Sequence, residues 1–135
     1  MKNISQSTKQ EIVNKIKAWQ KKESYLRSDY SLSVFCYEIG YNNKYLSCII
    51  NQEFNCDFPT FINNLRFLHM IEIVDSMDEN QFYKLEALAK SSGFSTYAKF
   101  AHFMRENMGL SPKDYFSIRK KNQIPHMSYS INLEK

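Results

Sequence analysis

Histidine and cysteine side chains are the groups in this sequence whose chemistry could support catalysis or metal binding. They are His69, His102, His126, Cys36, Cys48 and Cys56. The histidines have no metal-ligand spacing, and an odd number of cysteines without CxxC spacing argues against a disulfide framework or a zinc site. Acidic residues are scattered, without a pair suited to act as acid and base. The sequence therefore predicts a protein that is not an enzyme and that needs no cofactor and no metal.

A different chemistry, hydrogen bonding to the edges of DNA bases, is available on an amphipathic segment after Asn42. Asn42 can cap this segment as a helix, and its inner face is apolar. The outer face carries amide, ammonium and hydroxyl groups, at Asn43, Lys44, Ser47 and Asn51. In the major groove a lysine can donate to guanine, and an asparagine can pair bidentately with adenine. The alternative is that this face is only solvated surface.

A second segment of the same kind lies between Leu85 and Tyr115. It predicts a helix, a turn at Gly93 and a second helix closed by Gly109, which together form a helix-turn-helix. The apolar stripe of the second helix consists of Phe100, Phe103 and Met104. At about 100° per residue, the opposite face holds Ala98, Ala101, His102 and Arg105.

The two outer faces predict an unequal division of work. Thr96 and Tyr97 stand at the N-terminus of the second helix, where backbone N–H groups and the helix dipole favour a phosphate. Ala98 and Ala101 can at most contact a thymine methyl group. We therefore expect the second helix to act chiefly as an electrostatic clamp, with polar reach from Thr96, Tyr97, His102 and Arg105. The first helix should then supply most of the base discrimination.

An internal duplication supports both segments. Leu32 to Gly40 repeats the first half of the later motif, and Cys36 stands where Ala89 stands, four residues before the glycine. Beyond the turn the two copies match at an offset of 54, as Leu46, Ile49, Ile50, Asn55 and Phe61 against Phe100, Phe103, Met104, Gly109 and Tyr115. A repeat with a consistent offset is stronger support than either copy alone.

The later copy resembles the signature of the AraC/XylS-type transcriptional regulators. The residues that carry the resemblance are Gly93-Phe94-Ser95-Thr96, Phe100, Gly109-Leu110-Ser111-Pro112 and Tyr115. The resemblance implies a seven-helix DNA-binding domain with two helix-turn-helix units, whose recognition helices enter successive major grooves about 34 Å apart. Arg66 matches the family's usual arginine on the helix that joins the two units, so the resemblance covers roughly residues 31–120.

Departures from the family pattern fall in the core and on the outer faces. Four departures affect core or cap positions. The usual Phe is replaced by Ile50 and Met104, the usual Ala by Met70 and the usual Gly by Asn55. Where the family often has Gln or Arg on the outer faces, this sequence has Ser47, Cys48, Ala98 and Ala101. Those short side chains reach few base edges.

The expected layout is all-α, with about seven helices and two helix-turn-helix subdomains joined by a long helix. Residues 1–7 and 122–135 are expected to be flexible, and residues 8–121 to form the domain. Within it we expect a helix over 8–23, a first unit over about 31–56, a joining helix over about 58–77 and a second unit over about 84–109. No apolar run approaches the ~20 residues needed to span a bilayer, so no membrane association is expected and a cytoplasmic location is favoured.

The distribution of charge bears on the partner. Residues 1–31 carry a net charge of +4, residues 32–75 a net charge of −3, and residues 76–135 a net charge of +3. The resemblance implies double-stranded DNA as the partner, and it leaves open RNA polymerase and a sensing domain in a longer protein. The acidic middle third favours an alternative, a protein-interaction module that keeps the fold but has lost DNA readout.

Overall fold

The computed structural model describes residues 4–78 and 83–122, with side chains to residue 120, and this part of the chain contains helices and no strand. Its α-helices are α1 (Gln6–Gln20), α2 (Leu32–Ile39), α3 (Asn43–Phe54), α4 (Phe58–Asp75), α5 (Leu85–Ser91), α6 (Tyr97–Met108) and α7 (Pro112–Asn122). A short 3-10 helix, Ser24–Leu26, follows α1. The predicted all-α fold class is confirmed. Within the described residues, no helix is long and apolar enough to cross a membrane.

The first core lies between α1, α2, α3 and the first half of α4. Trp19 is at its centre, where its ring packs edge-on against Phe35 with the centroids 4.8 Å apart. The indole Nε1 donates to the Tyr30 hydroxyl at 2.8 Å and to Glu38 Oε1 at 3.0 Å, so the polar atom of this buried ring is satisfied. Phe61 brings α4 into the same cluster.

The second core lies between the rest of α4 and helices α5, α6 and α7. Phe67 of α4 packs against Phe103 and Tyr115, with centroids 6.0 and 5.4 Å apart. Met70 and Ile71 of α4 belong to the same cluster. A helix of 18 residues is about 27 Å long. Because its two halves are buried in different cores, α4 joins the two units as a shared wall.

The first helix begins earlier than the sequence predicts. The expected helix starts at residue 8, but α1 begins at Gln6, and the Ser5 hydroxyl accepts from the Thr8 backbone N–H at 3.1 Å. Ile4 packs against the first core, which fixes where the chain enters the helix. Residues 6 and 7, which were expected to precede the domain, therefore belong to α1. Residues 1–3 lie outside the described part, and the flexibility of the N-terminal segment stays a prediction.

Two other boundaries differ slightly from expectation. α1 ends at Gln20, and the joining helix α4 ends at Asp75. Residues 79–82, which follow the joining helix, lie outside the described residues, as do residues 123–135 of the predicted flexible tail.

The internal duplication extends to the ends of the helices. Asn42 caps α3 and Thr96 caps α6, each accepting a hydrogen bond from the backbone N–H three residues later. Asn55 and Gly109 end these helices in the left-handed region, at φ 59° and 71°. The caps of the next helices are Asp57 and Ser111. All three pairs keep the offset of 54, so the repeat is built from the same local signals in both copies.

Candidate nucleic-acid interface

Helix α3 presents the polar face that the sequence singles out. Leu46, Ile49 and Ile50 are fully buried and hold the helix against the first core. The four polar side chains of the opposite face are all exposed, at Asn43, Lys44, Ser47 and Asn51. At about 100° per residue they fall within an arc of about 100°. Asn43, Ser47 and Asn51 follow one another at intervals of four residues, so they form a row along two turns of the helix.

An internal hydrogen bond orders part of this face. The Ser47 hydroxyl donates to Asn43 Oδ1 at 2.8 Å. The amide oxygen of Asn43 is thereby engaged, while its NH₂ group remains as a donor. Lys44 and Asn51 lie beside this pair and make no such contact with each other. The face therefore offers a donor at Asn43, an ammonium at Lys44, and both amide functions at Asn51.

Helix α6 presents a sparser polar face. Thr96 uses its hydroxyl oxygen to accept from the Lys99 backbone N–H at 3.1 Å, which caps the helix. Ala98, His102 and Arg105 are exposed. Tyr97 is only half-exposed, because its ring packs against Phe100 with the centroids 6.0 Å apart. The polar groups of this face are therefore concentrated at His102 and Arg105.

Ala101 does not lie on the outer face, contrary to expectation. It is only 7% exposed. At about 100° per residue it is offset by about 100° from Phe100, on the flank of α6 that also holds Tyr97 and Met108. Both of those side chains are partly buried against the second core. Counting from the apolar stripe alone missed this flank, because the stripe of α6 is wider than the three residues that define it.

Arg66 of α4 ties the two units together. Its Nε donates to the backbone oxygen of Tyr25 at 2.7 Å, and its Nη2 donates to the backbone oxygen of Arg27 at 2.9 Å. On the other side, the guanidinium carbon lies 6.0 Å from the centre of the Phe94 ring in the second unit. Burial lowers the pKa of Arg66. One side chain thus contacts the segment between α1 and α2 and the turn of the second unit, and so fixes how α3 and α6 are presented.

Four of the five acidic residues of the middle third have partners away from the outer face of α3. Glu53 is directed at α1, where its carboxylate lies 3.7 Å from Lys9 Nζ. Asp57 accepts from the Thr60 backbone N–H at 3.0 Å as the cap of α4. Two more are held by partners inside the fold, Glu38 by Trp19 and Asp75 by Arg119. The net negative charge of this segment therefore does not place carboxylates beside Asn43 and Asn51.

Cations on the two outer faces keep their charges available. Within residues 4–78 and 83–120, neither Lys44 nor Arg105 forms an ion pair. Lys99 is a further exposed cation on α6 that sequence analysis missed. Its position could have identified it from the sequence, because Lys99 lies in the first turn of α6, and helix N-termini commonly bind phosphates.

Comparison with known proteins gives one informative match. No family model matches the chain, and no curated protein does. Among solved structures, the chain is similar to the C-terminal domain of AraT, a response regulator from Geobacillus stearothermophilus, with a TM-score of 0.63 and 21% sequence identity. The match covers 87% of this chain and 94% of that chain. This chain has the fold of that domain.

The cysteines and His69 of this AraT-like fold show no sign of a reactive or metal-binding site. The three cysteines are partly buried. Burial, with a smaller contribution from Asp57, raises the pKa of Cys56 to about 11, and burial also raises the pKa of Cys36. Both thiols are therefore protonated at neutral pH. His69 Nδ1 lies 3.8 Å from Glu23, and no cluster of three metal-ligating side chains occurs in the part of the chain that the structure describes.

Proposed function

We propose that this chain is a sequence-specific DNA-binding domain of a transcriptional regulator, which places α3 and α6 in successive major grooves on one face of the duplex. The observation that carries the proposal is the repeat itself. Two 12-residue helices share one pattern of caps at an offset of 54, and each presents an outer face to solvent. The major groove is about 12 Å wide and admits an α-helix. A 12-residue helix lying in it is about 18 Å long.

In this proposal α3 reads bases. Lys44 donates to guanine, Asn51 pairs with adenine, and the Asn43–Ser47 pair supplies a fixed donor beside them. The absence of carboxylates from this face favours approach to a polyanion, because a like charge there would repel phosphate.

In the same proposal α6 holds the backbone. Thr96 and Tyr97 stand where the helix N-terminus favours a phosphate, and His102 and Arg105 extend the contact along the outer face. Ala101 is left out of the contact set because it is buried. Base discrimination is therefore assigned chiefly to the first unit.

Support from other proteins is indirect. The AraT domain that shares this fold belongs to a response regulator, and the signature after Gly93 resembles AraC/XylS-type regulators. Double-stranded DNA is the proposed partner. RNA polymerase, and a sensing domain in a longer protein, are further proposed partners that follow from this resemblance.

A second candidate function is a protein-interaction module that retains the fold without reading DNA. The observation that favours it is the sparseness of α6, where Ala98 is exposed and Ala101 is buried. On α3, two of the four polar side chains, Asn43 and Ser47, bond to each other rather than only to solvent. Both features reduce the number of groups that can reach a base.

Selection of binding sites from a random DNA pool tests the proposal and separates the two functions. We expect enrichment of one sequence with two half-sites about one helical turn apart. Affinity for the selected site should fall steeply with salt, because bound Lys and Arg displace counterions from the phosphates. An unenriched pool, together with weak binding that hardly depends on salt, would favour the interaction module.

A further inference from the structure

A cleft of about 440 Å³ lies where the two units meet along α4. Its apolar wall is made by residues from both units and from α4, including Leu32, Phe58, Ile62 and Phe94. The volume is within the range of about 300–1,000 Å³ that is usual for small-molecule sites. Such sites combine an apolar wall with a few polar groups that orient the ligand.

Arg66 contributes a buried cation to the lining of this cleft. Arg66 is 8% exposed, yet the groups that accept its hydrogen bonds are neutral: the backbone oxygens of Tyr25 and Arg27, and Oδ1 of Asn63 at 3.2 Å. Within residues 4–78 and 83–120 it forms no ion pair with a carboxylate. A buried charge without a counter-ion is unusual, because its lost hydration is not offset by an opposite charge.

Arg119 shows how the same fold treats a buried arginine elsewhere. It is also 8% exposed, but its Nη2 lies 2.7 Å from Asp75 Oδ2 and its Nε donates to the same carboxylate at 3.2 Å. The two arginines therefore differ: Arg119 has a carboxylate partner, whereas the described residues give Arg66 only neutral acceptors.

Lys99 brings a second cation to the rim of the cleft. It is exposed, forms no ion pair with a described residue, and lines the cleft together with the hydroxyl groups of Ser28 and Ser95. The lining thus combines two cations and two hydroxyls with aromatic and aliphatic side chains, and this set matches a ligand that has an anionic head and an apolar body.

We propose that this cleft binds a small organic anion, whose carboxylate or phosphate pairs with Arg66 and Lys99 while its apolar body lies against Ile62, Phe58 and Phe94. The apolar wall distinguishes this ligand from inorganic phosphate, which would leave it solvated. The depth of Arg66 distinguishes it from the DNA backbone, which the outer faces of α3 and α6 meet. The proposal does not rest on the proposed DNA binding, although Lys99 belongs both to the cleft and to the exposed cations of α6.

Isothermal titration calorimetry of the full chain with 2-naphthoate tests the proposal. Its controls are 2-naphthalenemethanol, which has the same apolar body without the charge, and inorganic phosphate. We expect 2-naphthoate to bind with a stoichiometry of one in a titration to about 5 mM, and both controls to bind at least about tenfold more weakly. Lys99→Gln should weaken binding about three- to tenfold, and Ser28→Trp, which fills the mouth of the cleft, should abolish it.

Matched variants outside the cleft keep the test specific. Lys90→Gln removes an exposed lysine on α5, and Ser33→Trp adds the same bulk to the exposed face of α2, so both should leave 2-naphthoate binding unchanged. Circular dichroism of each variant verifies the fold. None of the variants replaces Arg66, because that change would also loosen the contact between the two units. The site is supported if Ser28→Trp abolishes binding and Lys99→Gln weakens it, while both control variants bind normally and all four keep their fold.

Three results would overturn it. In the first, 2-naphthoate fails to bind while the chain is folded. In the second, the neutral alcohol or phosphate binds as well as 2-naphthoate. In the third, Lys90→Gln or Ser33→Trp weakens binding as much as the cleft variants do. Parallel titrations with selected DNA are read separately: absence of naphthoate binding together with weaker DNA binding in Lys99→Gln would assign the cations to the DNA backbone instead.

Discussion

A Cβ atom on Gly93 would stand 2.6 Å from Nε of Arg66 and 2.8 Å from the backbone oxygen of Tyr25. Those two atoms are the donor and the acceptor of the 2.7 Å hydrogen bond that joins α4 to the segment between α1 and α2. Gly93 also has a φ of 108°, which side-chain-bearing residues rarely adopt. The absence of a side chain at this turn lets the second unit approach the first as closely as the arginine bond requires.

Replacement of Gly93 should therefore cost more than replacement of another left-handed glycine. We expect Gly93→Ala to lower the free energy of unfolding by about 2–4 kcal/mol, because backbone strain and overpacking against a buried arginine add together. Gly109→Ala is the matched control, since its φ is 71° but no atom lies within 4 Å of the added Cβ. It should cost only about 1 kcal/mol, from strain alone. Urea unfolding of both variants measures the difference, and equal losses would contradict the close-approach argument.

The ion pair of Arg119 and Asp75 should stabilise the second unit. The pair joins α7 to the end of α4 with two hydrogen bonds to one carboxylate. Asp75 is partly exposed, so Asp75→Asn should lower the free energy of unfolding by about 1–2 kcal/mol, less than the loss of a fully buried pair. Asp29→Asn removes the partner of Arg27 in an exposed pair and should cost less than about 0.5 kcal/mol. Thermal unfolding that shows the same change for both variants would argue against a structural role of the Arg119 pair.

The left-handed asparagine that ends α3 offers a stabilising change. Asn55 has a φ of 59°, at the position where the second copy has Gly109. Asn55→Gly should raise the free energy of unfolding by about 0.5–1 kcal/mol, because glycine adopts this conformation without a steric cost. Asn55→Ala should have the opposite sign, with a loss of about 1 kcal/mol. Chemical denaturation of the three proteins in parallel gives both values, and the idea fails if Gly proves no better than Ala.

The division of work between α3 and α6 is tested by comparing matched and scrambled DNA sites. Lys44→Ala and Asn51→Ala should each weaken binding to the selected site by about 1–3 kcal/mol and reduce the ratio between the two sites. His102→Ala with Arg105→Ala should weaken both sites similarly and flatten the salt dependence, since phosphate contacts carry no sequence information. Fluorescence anisotropy at several salt concentrations measures both effects. The assignment is reversed if the α6 variants erase the preference while the α3 variants weaken all sequences alike.

Much of this fold follows from local sequence features that occur in both copies of the repeat. The apolar stripes of α3 and α6, their caps at Asn42 and Thr96, and the left-handed end at Asn55 are interactions within one helix or its first and last turns. Such interactions depend on neighbours along the chain, so periodicity and residue type were enough to predict them. The exposed positions of Lys44, Asn51 and Arg105 follow from the same periodicity, while their contacts to DNA stay predictions.

What only the tertiary structure decided depends on contacts between distant parts of the chain. Ser5 and Thr8 are both suitable caps, and the packing of Ile4 on the first core favours Ser5. Ala101 is buried because its flank of α6 meets the second core, which a count from Phe100 does not show. Sequence alone predicts all-α helix-turn-helix units because helices are encoded locally. Tertiary packing decides how the units meet at Arg66, because that arginine bonds to backbone oxygens about 40 residues away in the chain.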